Sequence, residues 1–303
     1  MGLAEQQLQR WIAPLGVRTR LIADDPRLLA AAIAACPTSP PEFHEPGNAI
    51  EIRLETASIP SSNLSCRIEV EGSRIEVRGA DFDGFADAGA RSGACHVSSR
   101  LMLDAKAFAA ELLDPILLFL LARRGRIPIH AAGIMIDSRA VLLSGPSGSG
   151  KSSLAQAAAQ RGLRVLSDDT VYIQLEPAFR AWGLPRPIHL LPADAPAGDH
   201  ATRDRAGRVK AAVPLPAEGM QSVADAAMLV ILERTEVPAL SAISQSEAQT
   251  AMASLEPGFD LLAEQSAGAV QRLTSGGAWK LKLGSDPGEA IDLLLKQLPR
   301  SRQ

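Results

Sequence analysis

The stretch LLSGPSGSGKSSL, residues 142–154, carries the residue types best suited to phosphate chemistry. Gly145, Pro146, Ser147, Gly148, Ser149, Gly150, Lys151 and Ser152 fill every fixed position of G-x-x-x-x-G-K-[ST], and Ser153 follows. Glycines let the backbone curl so that successive N–H groups point inward and cradle an anion. A helix leaving such a loop adds the positive end of its dipole. In that arrangement Lys151 reaches the β- and γ-phosphates of ATP, and the Ser152 hydroxyl ligates Mg²⁺. The competing reading is a Gly/Ser turn ahead of a helix. The apolar strand pattern before the loop and the helical pattern after it favour the phosphate site.

Phosphate transfer also needs carboxylates. LRVLSDD, just beyond the helix, ends in Asp168 and Asp169. One helix and one strand suffice to return this pair to the loop. Adjacent side chains on a strand point opposite ways, but at a strand end the chain can turn and let both face one site. One carboxylate can then hold the metal shell while the other accepts a proton from an attacking hydroxyl. Taken alone, the pair is equally a polar strand terminus. His130, in the apolar stretch before the loop, is either a structural residue or part of the site. Glu233, which closes the apolar run MLVILE, has the form of a more distant metal-side acid. Its plainer reading is a core strand ending at the surface. Arg186 and His189 are candidates to line an acceptor cleft. Arg208 and Lys210 are candidates to close over the phosphates as a charge clamp, or else belong to a solvated loop.

These residues need elements to place them. IPIHAAGIMI and RAVLLS flank Asp137–Ser138, which predicts a hairpin whose second strand feeds the loop. Lys151–Arg161 reads as a helix stopped by Gly162, LRVLSDD as a buried strand, and AAMLVILER as another. Residues 246–266 and 287–298 read as helices, and residues 192–212 as a polar, mobile loop. Upstream, Asp104 is the expected N-cap of a helix running to Arg123, with Gly125 past its end. AIEIRLET and CRIEVEGSRIEVRG alternate like half-buried strands, the latter turning at Gly72–Ser73. Residues 25–36 read as a short helix, and residues 1–16 as an amphipathic one with Leu3, Leu8, Trp11 and Ile12 on one side. The expected division is a small α+β region over 1–100 and a catalytic α/β domain over 101–303. The edge of the N-terminal hairpin is a candidate to pair with an extended peptide.

Composition narrows the partners. The chain has 303 residues, 46% hydrophobic, with a net charge of −3 and only 4% aromatics. That balance gives no basic, base-stacking surface, so nucleic acid is not an expected partner. The N-terminus lacks the basic and apolar regions of a signal peptide. The apolar run Leu112–Ala122, broken by Asp114 and Pro115, is too short for a bilayer, so no membrane partner is expected. Cys36, Cys66 and Cys95 have no metal-ligand spacing and read as reduced thiols of a cytoplasmic protein. Assembly into a homo-oligomer is left open.

Residues 127–173, IPIHAAGIMIDSRAVLLSGPSGSGKSSLAQAAAQRGLRVLSDDTVYI, resemble the catalytic core of the HPr kinase/phosphorylase family. The likeness rests on the histidine before the hairpin, the hairpin into the loop, the RG at the helix end and the DD pair. It implies a phosphate-loop, mixed-sheet kinase core related to phosphoenolpyruvate carboxykinase, using ATP and Mg²⁺ to phosphorylate serine on a protein. Asp168 would be the general base, Asp169 and Ser152 would serve Mg²⁺, and His130 would sit near the transferred phosphate. The glycine-rich signature of the bifunctional enzymes is replaced here by WGLPRPIHLLP, residues 182–192. The further acidic metal ligand has only Glu176, Asp194 and Asp199 as candidates. The chain is more similar to shorter relatives, some of which phosphorylate precursor peptides in lasso-peptide and other tailoring pathways. The expected activity is a serine kinase acting on a peptide or small protein. A small-molecule kinase and a non-catalytic ATP-sensing partner are the alternatives.

Overall fold

A computed structural model describes residues 8–47, 49–59, 65–191, 200–203, 209–253 and 263–299. The chain divides into two units, Met1–Arg126 and Ile127–Gln303. The division falls after the helical segment that follows Asp104, rather than at residue 100.

The first unit holds strands β1 (Leu8–Ile12), β2 (Thr19–Ala23), β3 (Ile50–Thr56), β4 (Arg67–Glu71), β5 (Arg74–Arg78), β6 (Phe82–Asp87) and β7 (Ser92–Val97). They form one sheet in the order β1-β2-β3-β7-β6-β5-β4. Ile50, Ile52 and Leu54 of β3 are buried and alternate with Glu51, Arg53 and Glu55, as the alternating sequence requires. Helix α1 (Pro26–Ala35) is capped by the Asp25 carboxylate, which accepts from the Arg27 N–H at 2.7 Å.

The expected helix over 1–16 is a correction. Residues 1–7 lie outside the described residues, and 8–12 are β1, paired antiparallel with β2. A helical stripe and a strand pattern both fit these residues, and the ladder with β2 satisfies the backbone of 8–12. Pairing sends Ile12 into the core and leaves Trp11 half exposed under the Arg18 guanidinium.

Asp104 caps its helix as expected, accepting from Lys106 and Ala107 N–H. That segment runs as α2 (Ala105–Ala107), a π-helical stretch (Phe108–Leu113) and α3 (Asp114–Ala122), and packs against β6. Arg126 is fully buried. It donates to Leu15 O and pairs with Glu45 Oε1, both at 2.8 Å. Cys36, Cys66 and Cys95 form no disulfide among the described residues.

In the second unit β8 (Ile127–Ile136) and β9 (Arg139–Ser144) form the expected hairpin, with Asp137 in the left-handed region at φ 54°. Helix α4 (Lys151–Gln160) leaves the glycine-rich loop, and β10 (Val165–Ser167) returns antiparallel to β8. Then come β11 (Thr170–Gln174), β12 (Arg180–Trp182), β13 (Ile188–Leu190), β14 (His200–Arg203), β15 (Val209–Val213), β16 (Val223–Ala224), β17 (Ala227–Arg234) and β18 (Ala239–Ile243). Helices α5 (Gln245–Ala253) and α6 (Ala263–Thr274), strand β19 (Ala278–Leu283) and helix α7 (Pro287–Gln297) close the unit.

The main sheet is mixed, in the order β16-β12-β11-β8-β9-β17-β19-β18, with β10 also on β8. Strands β9, β17 and β19 are mutually parallel at its centre. Apolar clusters cover both faces, so these strands read as near-continuous hydrophobic runs. Val141 and Leu143 pack toward α4 and α7, and Ala140 and Leu142 toward α5 and α6. Among the described residues no helix is long and apolar enough to cross a membrane.

The polar stretch expected to be a mobile loop contains structure. β15 pairs with β13 on one side and β14 on the other in a small antiparallel sheet, with Ala211 and Val213 of β15 buried. The single helix expected over 246–266 is instead α5 and α6.

Candidate active site

The site lies where β9 runs out. Ser144 is buried and its hydroxyl donates to His130 O at 3.0 Å, tying the loop's origin to β8. Gly148 (φ 81°) and Gly150 (φ 103°) take left-handed backbone, which side-chain-bearing residues rarely adopt, so the chain turns sharply into α4. Lys151 opens α4 and is 7% exposed. Its ammonium folds back over the loop, donating to Gly145 O at 2.8 Å and Pro146 O at 3.1 Å. Burial holds this ammonium below the ordinary lysine value; the charge of Asp169 opposes that and the charge of Lys210 adds to it. Asp169 and Lys210 therefore share the electrostatic neighbourhood of the loop.

The two aspartates diverge. Asp168 is 8% exposed and turns inward. Its Oδ2 accepts from the His189 N–H at 2.7 Å and from the Ser152 hydroxyl at 3.4 Å, with His189 Nδ1 3.8 Å away. Burial raises its carboxyl above the usual aspartate value, His189 pulls it back, and the charge of Asp169 pushes it up again. Asp169 is exposed, with its Oδ1 3.4 Å from His130 Nε2, and its Oδ2 accepts from the Thr170 hydroxyl at 3.1 Å. The strand end bends because Ser167 Oγ accepts from both the Asp169 and Thr170 N–H groups. In the register of β8 and β11, His130 stands opposite Thr170, which is why the histidine meets Asp169.

Gly183 packs directly on Leu166: a β-carbon there would overlap the Leu166 carbonyl oxygen, so only glycine lets this segment run against β10. The same register puts His189 of β13 opposite Ala212 and brings Lys210 of β15 to the site.

The other predicted residues are placed as follows. Pro146, Ser147, Ser149 and Ser153 complete the loop and the first turn of α4. Arg186 is half-buried in the connection into β13. Arg208, Asp194 and Asp199 lie outside the described residues. Glu176 is excluded as a metal ligand: β11 starts at the site with Thr170, and its last residue, Gln174, is already ~13 Å further along the strand.

Glu233 is parallel to the loop's strand but alternates onto the face of Ile231, the α6 side, and stands opposite Lys282 in register. It is not among the charges that act on Lys151. The next residue, Arg234, takes the face of Leu232, on the α4 side, and its guanidinium reaches the loop beside Gly150. Sequence reading singled out the acid and passed over the arginine. Period-two alternation along MLVILER was the signal that distinguishes them.

Taken together, the geometry gathers a glycine-rich loop, a lysine, a hydroxyl, two carboxylates and two histidines at one edge of the sheet. That set can hold a polyphosphate and move a proton.

No family model matches the chain, and no curated protein matches it. Among solved structures, the chain is similar to the HPr(Ser) kinase/phosphatase from Coxiella burnetii, with 12% identity over 55% of this chain and 92% of that one and a TM-score of 0.29.

Proposed function

We propose that the second unit is an ATP- and Mg²⁺-dependent kinase that transfers the γ-phosphate to a hydroxyl, most simply a serine of a peptide or small protein, on a core of the HPr kinase type. The observation that carries this is the burial of Asp168 against the Ser152 hydroxyl at the end of the glycine-rich loop. A buried carboxylate with a raised pKa is a better base at neutral pH than an exposed one, and proton transfer to it suits an attacking hydroxyl. The acceptor oxygen forms its bond to the γ-phosphorus as the bond to the β–γ bridging oxygen breaks. The hydroxyl proton goes to Asp168 and ADP leaves. Loop N–H groups and Lys151 offset charge on the transferred phosphoryl.

Ser152 and Asp169 would supply the hard oxygen donors that Mg²⁺ takes: Ser152 follows Lys151 in the first turn of α4, and the charge of Asp169 is felt at the Lys151 ammonium. Bound there, the ion would neutralise phosphate charge. His130, held against Asp169, is positioned to orient that carboxylate. Lys210 adds positive charge beside Lys151, where a polyphosphate would need it.

The test is γ-labelled ATP with Mg²⁺ offered to serine-containing peptides and, in parallel, to hydroxyl metabolites. Label in phosphoserine supports the peptide kinase. Label only in a metabolite moves the acceptor class. Tight ATP binding with no labelled acceptor turns the reading to a nucleotide sensor.

A further inference from the structure

The loop says where phosphates go but not where the nucleotide's base goes. At the carboxyl ends of β17 and β19 a cleft of about 380 Å³ is lined by Arg234, Thr235, Glu236, Leu283, Gly284 and Ser285. Two of these residues meet the loop. A β-carbon on Gly150 would sit 3.1 Å from Arg234 Nη2 and 3.6 Å from Leu283 Cδ1. The cleft therefore opens on the last glycine of the loop, at the carboxyl edge of the parallel strands, where open α/β sheets characteristically hold ligands.

Its walls are fixed. Arg234 stands opposite Leu283 in the parallel register, and the Thr235 N–H donates to Leu283 O at 2.9 Å. The Thr235 hydroxyl donates to Val237 O at 3.0 Å, and Gly284 lies against the Pro238 ring. The volume falls within the range of small-molecule sites.

The chemistry of the lining suits a flat, amino-substituted heterocycle. A guanidinium stacks on aromatic rings, and Leu283 offers the opposing apolar surface. The exposed Glu236 carboxylate is an acceptor for ring or exocyclic N–H groups. Among the described residues no carboxylate forms an ion pair with Arg234.

Building on the kinase reading for the phosphates, we propose that this cleft is the base subsite of the same nucleotide, taking a purine stacked on Arg234. The experiment measures equilibrium binding of ATP and of inorganic tripolyphosphate, both with Mg²⁺, to the full chain and to Arg234→Ala and Glu236→Ala. Wild-type protein is expected to bind both. Arg234→Ala should weaken ATP by about tenfold, the scale of a stacking contact, and change tripolyphosphate less than about twofold. Glu236→Ala should weaken ATP alone, and by less. Equal weakening of both ligands would make Arg234 a phosphate contact and overturn the subsite; so would unchanged ATP binding in both variants. Wild-type protein that binds neither ligand would instead remove the phosphate site on which the proposal rests.

Discussion

Asp168→Asn separates chemistry from binding and stability. The amide keeps the shape of the carboxylate and an oxygen to accept the His189 N–H, which lies 2.7 Å from Oδ2. It removes the charge and the base. Loss of a general base costs typically 10²–10⁴ in rate, or about 2.7–5.5 kcal/mol of transition-state stabilisation. Lys151 and the loop amides are untouched, so ATP affinity should move little.

Stability should move the other way. Burial raises the Asp168 carboxyl above its unfolded value of 3.8, so the folded state favours the protonated form. The favourable contribution is complete below the unfolded value and is lost as pH rises through the folded one. At neutral pH the wild-type protein bears the cost of an ionised buried carboxylate, and the asparagine variant does not. Thermal melts from pH 3.5 to pH 8 should show the variant more stable at the upper end, with the advantage vanishing toward the lower end. Phosphotransfer on the same samples should be lost at every pH. Unchanged transfer, or a variant less stable at pH 8 than at pH 4 relative to wild type, refutes the assignment of Asp168 as a buried base.

Three further outcomes follow from the same geometry. Lys151→Ala should abolish tight ATP binding, and wild-type affinity should begin to fall as pH approaches a lysine value depressed below 10.5, seen by titrating nucleotide across pH 7–10. Gly183→Ala pushes a methyl into Leu166 O, where backbone cannot yield, and should cost about 3 kcal/mol in denaturant unfolding. Arg126→Met strips Leu15 O and Glu45 of their buried donor and should destabilise the first unit by about 1–3 kcal/mol, with the labelled-ATP binding of the second unit retained.

How much of this was legible depends on whether the signal is local. The strand, glycine-rich turn and helix around Gly145–Ser152, the Asp137 turn and the Asp104 cap are each defined by neighbours in sequence, and each forms as its residues imply. β1 was misread because five residues fit a helical stripe and a strand alike, and only pairing with β2 decides. β14 and β15 are hidden by composition, since HATR and VKAAV carry little strand propensity, and only the pairing of β15 with β13 and β14 reveals them. The contact of His189 with Asp168 joins residues 21 apart in the chain, which no local pattern announces. Arg234 sat one residue beyond an acid that drew attention, and only its face of the strand sets it apart.

The most direct test of the central claim is transfer itself. With γ-³²P-ATP, Mg²⁺ and a serine-containing peptide acceptor, wild-type protein should place label on the serine hydroxyl, and neither Lys151→Ala nor Asp168→Asn should do so. A wild-type protein that binds ATP through the loop yet labels no hydroxyl acceptor, peptide or metabolite, would contradict it.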